Sequence, residues 1–287
     1  MKHRFSPLSG DQSHSAMIPQ PLLQAIRDKT CILYAGAGFS LEASSPDGHK
    51  LPTGNGLGYR LALELQRAGH LLEEPKEDGI FDFITLAENY ETAFGRRHLI
   101  LLLHDIFYAE GVTPGEAHHL ALEFFPLIIT TNYDPLFEHA AILQGRPPIV
   151  IRRDKQTPFI GAGNRTTIIK IHGDLEDPER LVITNEDYRR EPIPEGLSEK
   201  LRTLFSERTV LFIGSGLVDS DFQEIYYQVL KRLGDIKPLS FAVVPFPNRD
   251  ASYYGQWELT RRRWEQRGMN FLDYTAGEFL QQLKQQL

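Results

Sequence analysis

The sequence predicts an α/β fold: a doubly wound, mostly parallel sheet with helices on both faces. Three observations carry this. The apolar runs are short and unbroken, such as Cys31-Ile32-Leu33-Tyr34-Ala35 and Pro126-Leu127-Ile128-Ile129-Thr130, without the polar alternation of a sheet that is wet on one face. Segments with apolar residues at helical spacing separate these runs, as crossover helices do in a parallel sheet. Four of the runs stop in glycine, asparagine, aspartate or histidine, residue types that turn a chain or meet a ligand.

Residues 1–17 are polar and rich in Ser and His, which predicts a flexible arm ahead of a domain over 18–287. Ile18, Leu22, Leu23 and Ile26 then follow helical spacing, with Pro19 and Pro21 tolerable in the first turn. The first strand, from Cys31, runs into Gly36-Ala37-Gly38-Phe39-Ser40. The two glycines are expected to take φ > 0 and to bring backbone N–H groups close to a pyrophosphate. Leu41 to Gly56, rich in Ser, Pro and Gly, reads as a mobile cover beside that turn. Leu57, Leu61 and Leu65 open a helix, and the periodic stretches Phe81–Phe94 and Arg97–Tyr108 extend it into a helical insertion over about 54–115. This insertion is expected to form a smaller lobe over the mouth of a cleft.

From Ala117 the alternation resumes with a short helix and a second strand, which ends in Asn132-Tyr133-Asp134-Pro135. Pro135 suits the start of a helix to Leu143, with Asn132 or Asp134 as its cap. Ile149–Ile151 is a third strand, and Thr166–Ile171 a fourth that ends in His172-Gly173-Asp174. Thr209–Ile213 is a fifth and meets Gly214-Ser215-Gly216 before a helix over Asp221–Leu233. Phe241–Val244 and Asn270–Tyr274 complete the strands, and Ala276–Leu287 is a last helix. Carboxyl ends of parallel strands share one edge, so the four motifs collect there in a Rossmann-like cleft.

Composition narrows the chemistry. A net charge of −7 argues against a sequence-specific nucleic-acid binder, which needs a basic face. Arg261-Arg262-Arg263 and Arg267, near Trp257 and Trp264, read most simply as the solvated face of a helix. One cysteine allows neither an internal disulfide framework nor a zinc ribbon, and His118 and His119 lack metal-ligand spacing with carboxylates, so no metal is expected. Residues 1–21 have no apolar signal core, and no run approaches 18 apolar residues, which points to a cytoplasmic protein without a membrane span. No Gly-x-x-x-x-Gly-Lys-Ser/Thr is present to support a P-loop ATPase.

Taken singly, each motif has a plain structural reading: Asn132 as a helix cap, Asp134 as a dipole partner, His172 as a loop histidine, Gly214-Ser215-Gly216 as a turn. Their convergence on one edge favours a ligand. Two glycine turns, one imidazole and one amide suit a nucleotide sugar, and a histidine of ordinary pKa can take a proton from a ribose hydroxyl or from water.

These residues resemble the sirtuins, in particular the sirtuin-like domains of bacterial anti-phage defence proteins. GAGFS at Gly36–Ser40 is similar to the sirtuin GAGxS, TTNYD at Thr130–Asp134 to TQNxD, IHGD at Ile171–Asp174 carries the motif histidine, and IGSG at Ile213–Gly216 is similar to the late ribose-binding turn. The resemblance implies an NAD site on Gly36, Ala37, Gly38, Phe39, Ser40, Asn132, Asp134, Gly214, Ser215 and Gly216. Asn132 and His172 would be catalytic, with hydrolysis of NAD to ADP-ribose and nicotinamide. It also implies a separate partner, a HerA-type ATPase or an Argonaute-type protein. The aromatics Tyr253, Tyr254, Trp257 and Trp264 add the expectation of a homo-oligomer. The deacylating sirtuins' four-cysteine zinc module is missing, and Leu41–Gly48 replaces their Gly-Ile-Pro-Asp-Phe-Arg, with Pro46-Asp47 as its trace. A module that senses NAD or ADP-ribose without turnover remains an alternative, as does a protein deacylase or ADP-ribosyltransferase.

Overall fold

The computed structural model describes residues 17–46, 48, 50–190, 193–217, 220–234 and 238–287, without the side chains of 220–222. Apart from Met17, the arm expected over 1–17 lies outside the described residues, as does Asp47.

Among the described residues seven parallel strands form one sheet in the order β3-β4-β2-β1-β5-β6-β7. They are β1 (Ile32–Ala35), β2 (Leu127–Thr130), β3 (Ile149–Ile151), β4 (Thr167–Lys170), β5 (Val210–Ile213), β6 (Ser240–Val243) and β7 (Met269–Leu272). Leu33 of β1 stands in register with Ile128 on one side and Leu211 on the other. The chain winds outward from β1 through β2 to β4 and β3, then returns to lay β5 on the opposite side of β1. The reversal opens a crevice at the carboxyl ends of the central strands.

Side-chain alternation along each strand feeds two cores. Leu33, Ala35, Ile128 and Ile213 face one layer, with Leu22 and Ile26 of α1 (Gln20–Arg27), Leu120 of α5 (Glu116–Phe124), Phe137 of α6 (Leu136–Leu143) and Phe279 of α11 (Ala276–Gln286). Ile32, Tyr34, Ile129 and Phe212 face the other, with Leu197, Leu201 and Leu204 of α8 (Glu195–Glu207), Val229 of α9 (Ser220–Leu233) and Trp264 of α10 (Tyr254–Glu265). Burial on both faces is why the central strands are mostly apolar. Helix α8 lies in a stretch to which the sequence reading assigned no element.

A third core belongs to the helices α2 (Gly54–Arg67), α3 (Phe83–Phe94) and α4 (Arg96–Phe107), through Leu57, Leu61, Ala87, Leu99 and Leu103. It reaches Tyr133 and Leu136 beyond β2, which seats these helices above the sheet edge. The segment expected as a mobile cover is anchored in this core at two points. Ala37–Glu42 is a 3-10 helix, Ser44 and Thr113 exchange backbone hydrogen bonds of 2.9 and 2.8 Å, and Ala43 and Leu51 are buried. The Ser, Pro and Gly content of the stretch concealed these anchors. Arg96, at the start of α4, fastens the helices to the later chain. Its guanidinium donates to Asp187 Oδ2 at 2.8 Å and to the Leu181 carbonyl at 2.6 Å, and Asp187 lies on α7 (Asn185–Arg190).

The glycines after β1 do not take the positive φ expected of them. Gly36 has φ −106° and Gly38 is likewise outside the left-handed region, so neither needs φ > 0. What they permit is contact between turns: a Cβ on Gly36 would lie 2.7 Å from Gly214 O, and one on Gly38 2.9 Å from Gly214 Cα. Gly214 is the residue with positive φ, +67°, and a Cβ there would lie 2.2 Å from the Phe39 nitrogen. Left-handed strain and that clash combine, so Gly214→Ala is expected to lower stability by about 2–3 kcal/mol, with a matching fall in the denaturant midpoint of unfolding.

Candidate active site

A cleft of about 640 Å³ lies over the carboxyl ends of β4, β2, β1 and β5. Its floor is made by the four motifs: Gly36, Ala37, Gly38, Ser40, Asn132, Asp134, His172, Gly214, Ser215 and Gly216 all line it. Its roof is largely apolar, with Pro52, Leu57, Phe83, Ile84 and Phe107 beside Tyr133 and Tyr188. The Phe39 side chain, expected in the nucleotide set, turns away into the core against Phe137, with ring centroids 4.9 Å apart. It anchors the glycine turn from below.

Asn132 is the hub of the floor. Its Nδ2 donates to Gly36 O at 3.1 Å and to Ser40 Oγ at 2.8 Å. Ser40 Oγ in turn donates to Asp134 Oδ2 at 2.6 Å, while Asp134 Oδ1 accepts the Leu136 N–H at 3.2 Å. The N-cap position of α6 is Pro135, so neither Asn132 nor Asp134 caps this helix, and Asp134 holds only its first N–H from the preceding turn. A carbonyl can only accept, so Gly36 O fixes which way the Asn132 amide faces. The buried Oδ1 is left without a hydrogen-bond partner, an acceptor at the cleft wall suited to a ribose hydroxyl or a water. Ser40 and Asp134 spend much of their hydrogen-bonding capacity on each other and on Asn132, so they act here to orient that amide.

His172 leaves β4 and is 3% exposed. Its carbonyl accepts the Val182 N–H at 2.9 Å, and Val182 O accepts the Tyr133 hydroxyl at 2.7 Å. Gly173 has φ +68° and touches the backbone of Arg180, which closes the loop against the chain. The His172 ring stands edge-on to Tyr188, with Nδ1 3.5 Å from the tyrosine hydroxyl. The sequence reading missed Tyr188, because it lies on the short α7, outside any motif.

It also missed Lys170, the last residue of β4, which is fully enclosed. Its Nζ donates to the Asp134 carbonyl at 2.7 Å and pairs with Glu138 Oε1 at 3.1 Å and Asp174 Oδ2 at 3.3 Å. Asp174 is held from the other side by Arg152 Nε at 2.7 Å. Burial pulls the lysine pKa down, and Glu138, Asp174 and Asp134 more than reverse this, so the ammonium is held above its ordinary value. The signal available was a lysine inside the apolar run Thr167-Ile168-Ile169-Lys170-Ile171, four residues before Asp174.

Outside the cleft, Arg261 pairs with Glu258 and Glu265 and Arg262 with Glu258, so the arginine run on α10 is an ion-paired face. Trp264 is core, 2% exposed, which removes it from the expected interface aromatics, whereas Tyr253 is 60% exposed. Among the described residues no three His, Cys, Asp or Glu side chains gather as a metal site, and no helix is long and apolar enough to cross a membrane.

The SIR2-like domain family matches residues 126–272, just over half of the sequence. The chain belongs to this family. The match takes in the Asn132, His172 and Gly214 motifs, and the fold brings the earlier glycine turn to the same SIR2-like cleft. The chain is 27% identical over 213 residues to "NAD(+) hydrolase ThsA" of Cytobacillus dafuensis, covering 74% of this chain and 40% of that protein. It is 28% identical over 208 residues to "NAD(+) hydrolase ThsA" of Enterococcus faecium, covering 70% and 40%. With "Defense-associated sirtuin 2" of Bacillus subtilis it shares 27% over 247 residues, covering 81% and 23%. The chain therefore spans less than half the length of these relatives.

One buried group beneath the cleft floor makes stability depend on pH. His118 of α5 packs between Phe39 and Phe137, at ring-centroid distances of 5.1 and 5.2 Å. Burial lowers its pKa from 6.5 to about 4, against the partial opposition of Asp134. The unfolded chain takes up this proton below pH 6.5 and the folded chain only near pH 4, so the associated stability is complete above 6.5 and is lost across that window. Unfolding at pH 7.5 and pH 5 is expected to show a loss of about 2 kcal/mol from this group, absent in His118→Phe.

Proposed function

We propose that this chain is an NAD glycohydrolase that cleaves the bond between nicotinamide and ribose. The observation that carries the reading is that Asn132, whose Oδ1 has no hydrogen-bond partner, and His172 line one cleft floored by glycine turns. Two relatives named NAD(+) hydrolase support it.

In this reading the pyrophosphate lies along Gly36–Gly38 and Gly214–Gly216, the two turns whose mutual contact forms the cleft floor. The nicotinamide ribose then faces Asn132 and His172. Asn132 Oδ1 accepts a hydrogen bond from the ribose or from the attacking water and holds it in line. As the C1′–N bond breaks, its electron pair leaves on nicotinamide, the water oxygen bonds to C1′, and His172 takes the water proton. The products are ADP-ribose, nicotinamide and one proton. The apolar roof excludes other water and strengthens the polar contacts of the floor.

Incubation with NAD is expected to release nicotinamide and ADP-ribose in equal amounts. His172→Ala is expected to lower that rate by about 10²- to 10⁴-fold with far less change in ADP-ribose affinity. Asn132→Ala is expected to lower both, because its amide also holds Gly36 and Ser40. Turnover by His172→Ala at the parental rate would remove the histidine from the mechanism. Saturable ADP-ribose binding with no turnover in any condition would select the sensing module instead.

We place this activity in the cytoplasm, as NAD depletion during anti-phage defence, a setting supported by the relative named defense-associated sirtuin. The assembly we propose is a homo-oligomer with a separate partner of the HerA-type ATPase or Argonaute kind. The exposed Tyr253 and Leu259 support a contact surface near α10. Light scattering at micromolar concentration is expected to give a mass above that of one chain. A monomer with full NAD turnover would overturn the assembly.

A further inference from the structure

Lys170 does not line the cleft, yet one ammonium ties together the segments that build it. Its ammonium meets three pieces of chain, one through a hydrogen bond and two through ion pairs. One is the Asp134 carbonyl, two residues past Asn132; the second is Glu138 on α6; the third is Asp174, two residues past His172. Asp174 gives its other oxygen to Arg152 beside β3, so the charges of Lys170, Arg152, Glu138 and Asp174 balance.

Stability alone does not account for such a cluster. Buried ion pairs recover their desolvation only in part, and apolar residues of similar volume often serve as well. What apolar packing cannot supply is a fixed spacing between separate backbone segments, because it has no direction. The Asp134 carbonyl faces Lys170 while its carboxylate faces Ser40, so the lysine also sets the orientation of the group that orients Asn132.

We propose that Lys170 is a positioning residue: its ammonium locks the loop after β2 to the loop after β4, so that Asn132 and His172 are presented to the same reacting atom. The proposal rests on the NAD-cleaving reading of the cleft. Misplacement of either group by about 1 Å is enough to cost 10²-fold in rate without loss of ligand contacts elsewhere.

The test uses the full chain. In Lys170→Met/Glu138→Gln one charge of each sign is removed together, Asp174 keeps Arg152, and the Asp134 carboxylate keeps the Ser40 hydroxyl and the Leu136 N–H. The expected result is a folded protein whose kcat for nicotinamide release falls by about 10²-fold, with KM and ADP-ribose affinity within about threefold of the parent. Unchanged kcat overturns the proposal, and so does an equal loss of ADP-ribose binding, which would mean general damage to the cleft. Should the double variant not fold, Lys170→Arg keeps the charge and changes only its reach. The same kcat-selective loss is expected, and full activity overturns the proposal. A parent chain that does not cleave NAD refutes the reading of the cleft, and hydrogen exchange then judges the lock. Faster exchange confined to residues 132–136 and 172–176 in either variant supports it, and unchanged exchange there overturns it.

Discussion

The contact on which the cleft depends is between two pieces of backbone. The turns that follow β1 and β5 lie so close that a single methyl group on Gly36, Gly38 or Gly214 would meet main-chain atoms of the opposite turn. A Gly38 N–H to Gly214 O hydrogen bond of 2.9 Å joins them. This contact sets the level of the floor, and the Asn132 amide rests on it through Gly36 O. Phe39 pins the same turn from the core side, so the floor is held by apolar packing below and by polar contacts above.

Much of this was legible in the sequence because strand ends in a parallel sheet obey a simple rule. Unbroken apolar runs identified the strands, and the abrupt change to polar residues after Ala35, Thr130, Ile171 and Ile213 identified the edge where they converge. The purpose of the glycines was not legible. Positive φ and close approach both call for glycine, and only the partner turn, some 175 residues away, decides between them. Phe39 was misplaced for a related reason: a motif names residues without saying which way a 3-10 turn directs each side chain.

Residues that act from outside a motif were harder still. Lys170 is an ordinary surface residue by type, and only the neighbours brought by β2, α6 and the loop after β4 make it a buried cation. Tyr188 and Arg96 depend on each other across the fold: Arg96 holds Asp187, and Asp187 places the helix that brings Tyr188 to His172. The anchors of the segment after the glycine turn were not legible because Leu41, Ala43 and Leu51 are scattered among sixteen residues of mixed type, and nothing marks Ala43 and Leu51 as the buried ones. Composition measures how much a segment has to bury, and two well-placed side chains suffice.

The ends of the sheet shape how copies of this chain can meet. An open parallel sheet leaves two rows of backbone donors and acceptors, each a template for a further strand. Here β3 has three residues and is entered through Pro147 and Pro148, which lack an N–H to offer. At the opposite end β7 has four residues and runs to Asp273, whose carboxylate is already taken by the Phe246 N–H at 2.7 Å. Both edges are short and offer few free backbone groups to a neighbour. Contact between copies would then fall mainly to helix faces and loops, where side-chain chemistry can choose a partner.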